Sequence, residues 1–140
     1  MPTVDQLCMQ LREHGRRVTP QRRAIVQALL DSDGIHPTAD QVFQRVQSVM
    51  PDMSPATVYN TLHEMVEIGE LLELDLGLGE RRYDLHTSNH AHLVCLGCGQ
   101  VVDVPYSDPP ALPPEHAQGF RVIDYLGVFR GYCPGCQSGG

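Results

Sequence analysis

Residues 54–83 read SPATVYNTLHEMVEIGELLELDLGLGERRY, and this stretch decides the fold. Ser54 before Pro55 is an N-cap followed by proline at the first helical position, where a missing N–H costs nothing. Val58, Leu62, Met65 and Val66 recur at helical spacing, predicting a helix that runs to Ile68 and stops at Gly69. That stripe leaves Ala56, Thr57, Tyr59, Asn60 and His63 on other faces. From Glu70 to Leu76 the pattern alternates for much of its length. Gly77-Leu-Gly79 then turns the chain and Arg81-Arg-Tyr83 returns it, predicting a β-hairpin.

Working back from that stretch, three more helices are expected. Val4, Leu7, Cys8 and Leu11 form a stripe that ends at Gly15, with Cys8 as a buried thiol. Thr19-Pro20 opens a second helix carrying Ile25, Ala28 and Leu29, broken at Asp33-Gly34. Thr38-Ala-Asp-Gln41 has capping-box form and opens a third, with Val42, Phe43, Val46 and Val49, ended by Pro51. Helices followed by a hairpin spell a winged helix-turn-helix, whose last helix enters the major groove while the wing touches backbone. Taken alone, the fourth helix reads better as a core helix whose outer face meets water, but after an arginine patch and before a two-arginine hairpin that reading becomes the weaker one.

The net charge of −7 argues against nucleic acid until its distribution is considered. All ten basic residues are arginine, and Arg12, Arg16, Arg17, Arg22 and Arg23 fall among the first 23 residues against only Asp5 and Glu13. A local basic patch of this kind suits phosphate, and equally a solvated helix face. No apolar run is long enough for a membrane helix, and the amino terminus lacks a signal pattern, so the cytoplasm is expected.

Beyond Asp84 the character changes. The expected domains are 1–84, a winged-helix DNA-binding domain, and 85–140, a small α/β dimerisation and metal-binding domain, for an overall α+β fold. Strand-like segments (Leu93-Val94, Val101–Val104, Phe120–Phe129) alternate with Gly- and Pro-rich turns, with a short helix over Ala111–Gln118 and a loop at Ser107-Asp-Pro-Pro110.

Cys95-Leu-Gly-Cys98 and Cys133-Pro-Gly-Cys136 use four of the five cysteines as two knuckles separated by 34 residues. Two Cys-x-x-Cys turns complete a tetrahedron around Zn(2+), and four thiolates leave no open position, so the zinc is expected to be structural. A redox pair needs one such motif and leaves the second unexplained. A different chemistry is offered by His36, Asp84, His90, His92 and Asp103, whose imidazole and carboxylate donors suit Fe(2+), Mn(2+), Co(2+) or Zn(2+). His90 and His92 alone read equally as surface histidines.

Arg17-Val-Thr-Pro-Gln-Arg22, His36-Pro-Thr-Ala-Asp40, Ser54-Pro-Ala-Thr-Val-Tyr-Asn60, Arg82-Tyr-Asp84, Asn89-His-Ala-His92 and Cys95-x-x-Cys-Gly99 occur in this order. Together they resemble the ferric uptake regulator family of metal-dependent bacterial repressors. The resemblance implies a homodimer binding double-stranded operator DNA, not an enzyme and not a membrane protein. It implies structural zinc on Cys95, Cys98, Cys133 and Cys136, and regulatory Fe(2+) or Mn(2+) on His36, Asp84, His90, His92 and Asp103. Arg16, Arg17, Arg22, Thr57, Tyr59 and Asn60 are the expected DNA-contacting residues. Aspartate at both 84 and 103 resembles the peroxide-responsive branch, in which the histidines matching His36 and His90 are oxidised at an Fe(2+) site.

The chain also departs from the family. Ala91 and Asp124 stand where an extra metal site would need ligands, the segment Tyr125–Gly131 is unusually glycine-rich, and His86 is an additional possible ligand. The alternative within the family is a plain iron, manganese or zinc uptake regulator. Outside it stand a zinc hydrolase or deaminase, disfavoured by the lack of the accompanying His and Glu motifs, and a zinc-ribbon interaction module.

Overall fold

The computed structural model describes residues 2–32, 35–87, 90–105, 111–123 and 125–137, with the side chain of His90 outside the described set. The expected breaker Asp33-Gly34, the loop Ser107–Pro110, Asn89 and Asp124 lie outside the described residues. Two compact units emerge, Met1–Thr87 and Ser88–Gly140. The first extends past the boundary expected after Asp84 because Leu85 still packs on its core.

The first unit comprises α1 (Val4–Glu13), α2 (Pro20–Asp31), α3 (Ala39–Gln47) and α4 (Pro55–Glu67), followed by a hairpin of β1 (Leu72–Leu74) and β2 (Arg82–Asp84). Every helix starts where a hydroxyl satisfies an otherwise orphaned N–H. Thr3, Thr19, Thr38 and Ser54 each accept from the backbone of the third helical residue. Thr38 and Gln41 form the reciprocal capping box expected, and Thr3 with Gln6 forms a second that the apolar pattern did not signal. Gly69, at φ 81, takes the left-handed position that closes α4, a conformation an L side chain resists.

The apolar stripes of the four helices meet in one core, with Leu11, Ile25, Val42, Val58, Leu62 and Met65 essentially free of solvent. Cys8 is fully buried on α1. Helix α3 stops at Gln47, before the predicted limit at Pro51, and Val49 is exposed. The hairpin is antiparallel with Glu73 opposite Tyr83, and Tyr83 returns its ring to the helical core.

The second unit holds β3 (His90–Cys95), β4 (Val101–Pro105) and β5 (Gly127–Gly131) in the order β4-β3-β5. β3 pairs antiparallel with β4 and parallel with β5. The helix expected over Ala111–Gln118 shrinks to α5 (Pro114–Ala117). The strand expected over Phe120–Phe129 is displaced to Gly127–Gly131, and Phe120–Ile123 forms no strand. Apolar content suggested pairing there, but Gly119 and Gln118 both take positive φ and turn the chain out of register. No helix among the described residues is long and apolar enough to cross a membrane.

Because Leu62 is completely buried at the centre of the helical core, Leu62→Ala should cost about 2–5 kcal/mol of unfolding free energy. Urea denaturation monitored by circular dichroism would measure this, and a loss under about 1 kcal/mol would contradict the core assignment.

Candidate metal centres

The parallel pairing of β3 with β5 sets the first centre. Cys95 ends β3 opposite Gly131, so the Cys133 knuckle, two residues further on, arrives beside the Cys95 knuckle. Cys95 N–H donates to the Gln100 carbonyl at 2.9 Å and Cys136 N–H to the Cys133 carbonyl at 2.9 Å, closing the two turns, and Leu96 N–H donates to the Gly131 carbonyl at 2.7 Å, joining them. Gly97 is required by this approach, since a Cβ there would lie 2.9 Å from the Cβ and Sγ of Cys136.

The four Sγ atoms of Cys95, Cys98, Cys133 and Cys136 all lie within 4.8 Å of one another, and Cys98 and Cys133 approach to 3.8 Å. That is too long for a disulfide, whose sulfurs sit about 2.05 Å apart. It equals the edge, about 3.8 Å, of a tetrahedron whose centre is about 2.3 Å from each sulfur, the zinc–thiolate length. Geometry and donor softness both fit zinc. All four cysteines are free thiols.

Electrostatics prepare the cluster unevenly. The Cys133 N–H (3.3 Å) and the Cys98 N–H (3.5 Å) donate to Cys95 Sγ and lower its thiol to about 6. Cys136, hydrogen-bonded first to Cys133 and then to Cys95, is pushed up to about 12. One thiolate therefore exists at neutral pH, while at least one other proton must be displaced by metal.

Two further groups, one in each unit, pair imidazole with carboxylate. In the first unit His36 Nε2 lies 3.4 Å from Asp84 Oδ2, with side chains only 2% and 3% exposed. Asp84 Oδ1 accepts the His86 N–H at 2.8 Å, an Asx-type turn that fixes the carboxylate. In the second unit His92 on β3 faces Asp103 on β4 as a cross-strand partner. His92 Nε2 lies 3.4 Å from Asp103 Oδ1, with His92 fully buried and Asp103 partly open. Nitrogen and oxygen donors of this kind suit iron or manganese in preference to soft metals. His90 belongs to β3, and its side chain lies outside the described residues.

The residues expected at DNA divide into two sets. Tyr59 and Asn60 are exposed on α4, and Thr57 lies half-buried near its start, its hydroxyl 2.8 Å from that of Ser54. Arg17 is exposed. Arg16 and Arg22 instead reach the far end of the same helix. Arg16 pairs with Glu67 at 2.8 Å, and Arg22 pairs with Glu64 at 2.9 Å while donating to the Arg17 carbonyl at 2.6 Å. Sequence reasoning counted them as basic patch because their acidic partners lie more than 40 residues away. Arg81, in the wing, is likewise paired with Glu73.

Zinc uptake by the metal-free chain should release protons, and its affinity should rise about tenfold or more per pH unit between pH 6 and 8, because the Cys136 proton must leave. The depressed Cys95 thiol has the opposite reference: its thiolate persists above about 6 and is lost as pH falls through that value. Competition titration against a zinc chelator would show this, and a pH-independent affinity would remove Cys136 from the ligand set.

Comparison with known proteins fits the geometry. The model of the Ferric uptake regulator family matches residues 13–126. A Staphylococcus saprophyticus protein, peroxide-responsive repressor PerR, is 39% identical over 130 residues, covering 91% of this chain and 87% of its own. The solved structure of PerR from Streptococcus pyogenes superposes with a TM-score of 0.55 at 31% identity, covering 98% of this chain and 95% of that one. The Helicobacter pylori ferric uptake regulator Fur shares the fold, with a TM-score of 0.76 at 21% identity, covering 99% and 96% of the two chains. The chain belongs to the ferric uptake regulator family.

Proposed function

We propose that this metal-responsive regulator is a cytoplasmic, homodimeric DNA-binding repressor that leaves its operator when peroxide oxidises a ligand histidine through bound Fe(2+). The observation that carries the reading is the pair of His–Asp couples, His36–Asp84 and His92–Asp103, each at 3.4 Å with its histidine buried. Similarity to relatives named as peroxide-responsive repressors supports it.

In this reading His36, Asp84, His92 and Asp103, joined by His90, ligate one regulatory ion. Bound metal would stabilise whichever conformation of the chain holds it better. Iron, when bound, would relay electrons from the ring to peroxide with no net change of its own oxidation state. The chain supplies the target: one oxygen of H2O2 enters the C–H of the His36 or His90 ring and the other leaves as water. An oxidised ring is a poorer ligand, so the metal-bound form would lose its stabilisation. Aspartate at 84 and 103, shorter than glutamate, would leave room for peroxide beside the ion.

Cys95, Cys98, Cys133 and Cys136 hold structural zinc and take no part in turnover. Dimerisation through the second unit is supported by its exposed apolar residues, among them Phe120, Ile123, Phe129 and Tyr132. DNA is read by the outer face of α4, with Thr57, Tyr59 and Asn60 at base edges and Arg17 on phosphate. Arg16 and Arg22 serve phosphate after exchange with Glu67 and Glu64.

Mass spectrometry of Fe(2+)-loaded protein after peroxide tests the central step. One added oxygen on the His36 or His90 peptide is expected, and Asp103→Glu should reduce it while preserving metal-dependent DNA binding. Absence of oxidation with intact iron-dependent binding would leave a plain metal regulator.

The interface has its own test. Tyr59→Ala or Asn60→Ala should weaken operator binding about tenfold, and Arg17→Ala should lower the salt dependence by about one contact, all with unchanged Mn(2+) affinity. Fluorescence anisotropy at several salt concentrations would measure both. Undiminished binding by all three variants would move the interface off α4.

A further inference from the structure

We propose that Arg82 is a positioning residue for His36, holding its backbone in a left-handed conformation that aims the imidazole at Asp84. The inference rests on the reading of His36 as a metal ligand, but its conformational half stands apart from that reading. His36 has φ 50, one of two positive-φ residues other than glycine among the described residues. The left-handed region is unfavourable for any L side chain. His36 also precedes Pro37, and the proline ring pushes the residue before it toward extended backbone. Two local preferences are therefore overridden at one residue, a condition that persists only where the surroundings impose it.

The surroundings are β2. Arg82 Nη1 donates to the His36 carbonyl at 3.3 Å, and the Tyr83 N–H donates to the Pro37 carbonyl at 2.9 Å. Immediately afterwards Thr38 is fixed by its capping box with Gln41. The His36 peptide is the last link, and Arg82 is the side chain that grips it. Asp84, two residues along the strand from Arg82, supplies the carboxylate that faces His36 Nε2. Its other oxygen is already held by the His86 N–H. One three-residue strand thus clamps two successive loop carbonyls and presents the facing carboxylate.

The arrangement is a poor device for stability alone. Arg82 Nε is buried without a hydrogen-bond partner among the described residues. Burying an unsatisfied donor opposes folding, as does the left-handed histidine. Both costs are borne at the same place, where a ligand must be held in one orientation before metal arrives. Partners that orient ligands in this way commonly change metal affinity 10- to 100-fold when removed.

The test uses the full, zinc-loaded chain without regulatory metal. In its NMR spectrum the intraresidue amide–Hα cross-peak of His36 should be strong, as positive φ requires. Arg82→Ala should abolish that signature and weaken Mn(2+) binding about tenfold or more in a chelator competition, with zinc content unchanged. Arg82→Lys, which keeps a donor and its charge, should restore most of both. An Arg82→Ala protein with the wild-type cross-peak and Mn(2+) affinity would overturn the proposal. So would equal loss of affinity in both variants with the cross-peak intact, since the shape of the guanidinium, and neither its charge nor the His36 backbone, would then be responsible. His36→Ala separates the two claims: undiminished Mn(2+) affinity there would overturn His36 as a ligand, while the cross-peak in Arg82→Ala would still decide who holds its backbone.

Discussion

The second unit depends on four sulfur atoms meeting at one point. Among the described residues its sheet has three strands, and a unit this small buries too little apolar surface to be secure on that basis alone. Cys95 closes β3 and Cys133 follows β5, so whatever joins the knuckles joins the ends of two parallel neighbours distant in sequence. A zinc ion at that point removes the freedom of a long intervening segment, and its binding energy becomes folding energy. His92 sits three residues before Cys95 on the same strand, so its placement beside Asp103 inherits the register the sulfurs set.

The first unit is stabilised differently. Four capped helices close a dry core, and ion pairs from Arg16 and Arg22 tie the segment before α2 to the rear of α4. Such partly exposed pairs contribute little energy each. Their effect is positional: they leave the front of α4 exposed and place negative charge at its back. The overall charge of −7 is thus compatible with a surface of mixed sign, in which Glu64 and Glu67 absorb part of the arginine cluster.

Helices were legible wherever chemistry at their ends was explicit. Thr19-Pro20, Thr38 with Gln41, and Ser54-Pro55 mark starts because hydroxyl caps and first-turn prolines have local causes. The four-sulfur cluster was equally plain from spacing. The strands at Leu93-Val94 and Val101–Val104 were legible too, but the last was misplaced, since Phe120–Ile123 lies outside any strand and β5 runs through glycines that apolar patterning discounts. The His36–Asp84 couple needed family resemblance, because residues 48 apart carry no periodic signal, whereas His92 and Asp103 fall on successive strands. The left-handed backbone at His36 was invisible altogether: a histidine before proline predicts the opposite, and its partners are tertiary, Arg82 on its own carbonyl and Tyr83 on the next.

Ala91 and Gly127 are opposed across the β3–β5 pair, and a Cβ on Gly127 would come within 3.0 Å of the Tyr125 ring and 3.3 Å of the Ala91 methyl. This crowding limits which side chains the β3–β5 pair admits. Ala91 is buried, so a longer side chain there would have to displace a neighbour. A side chain on Gly127 would press at once on the tyrosine ring and the alanine methyl, so the pair stays narrow only while both positions stay small.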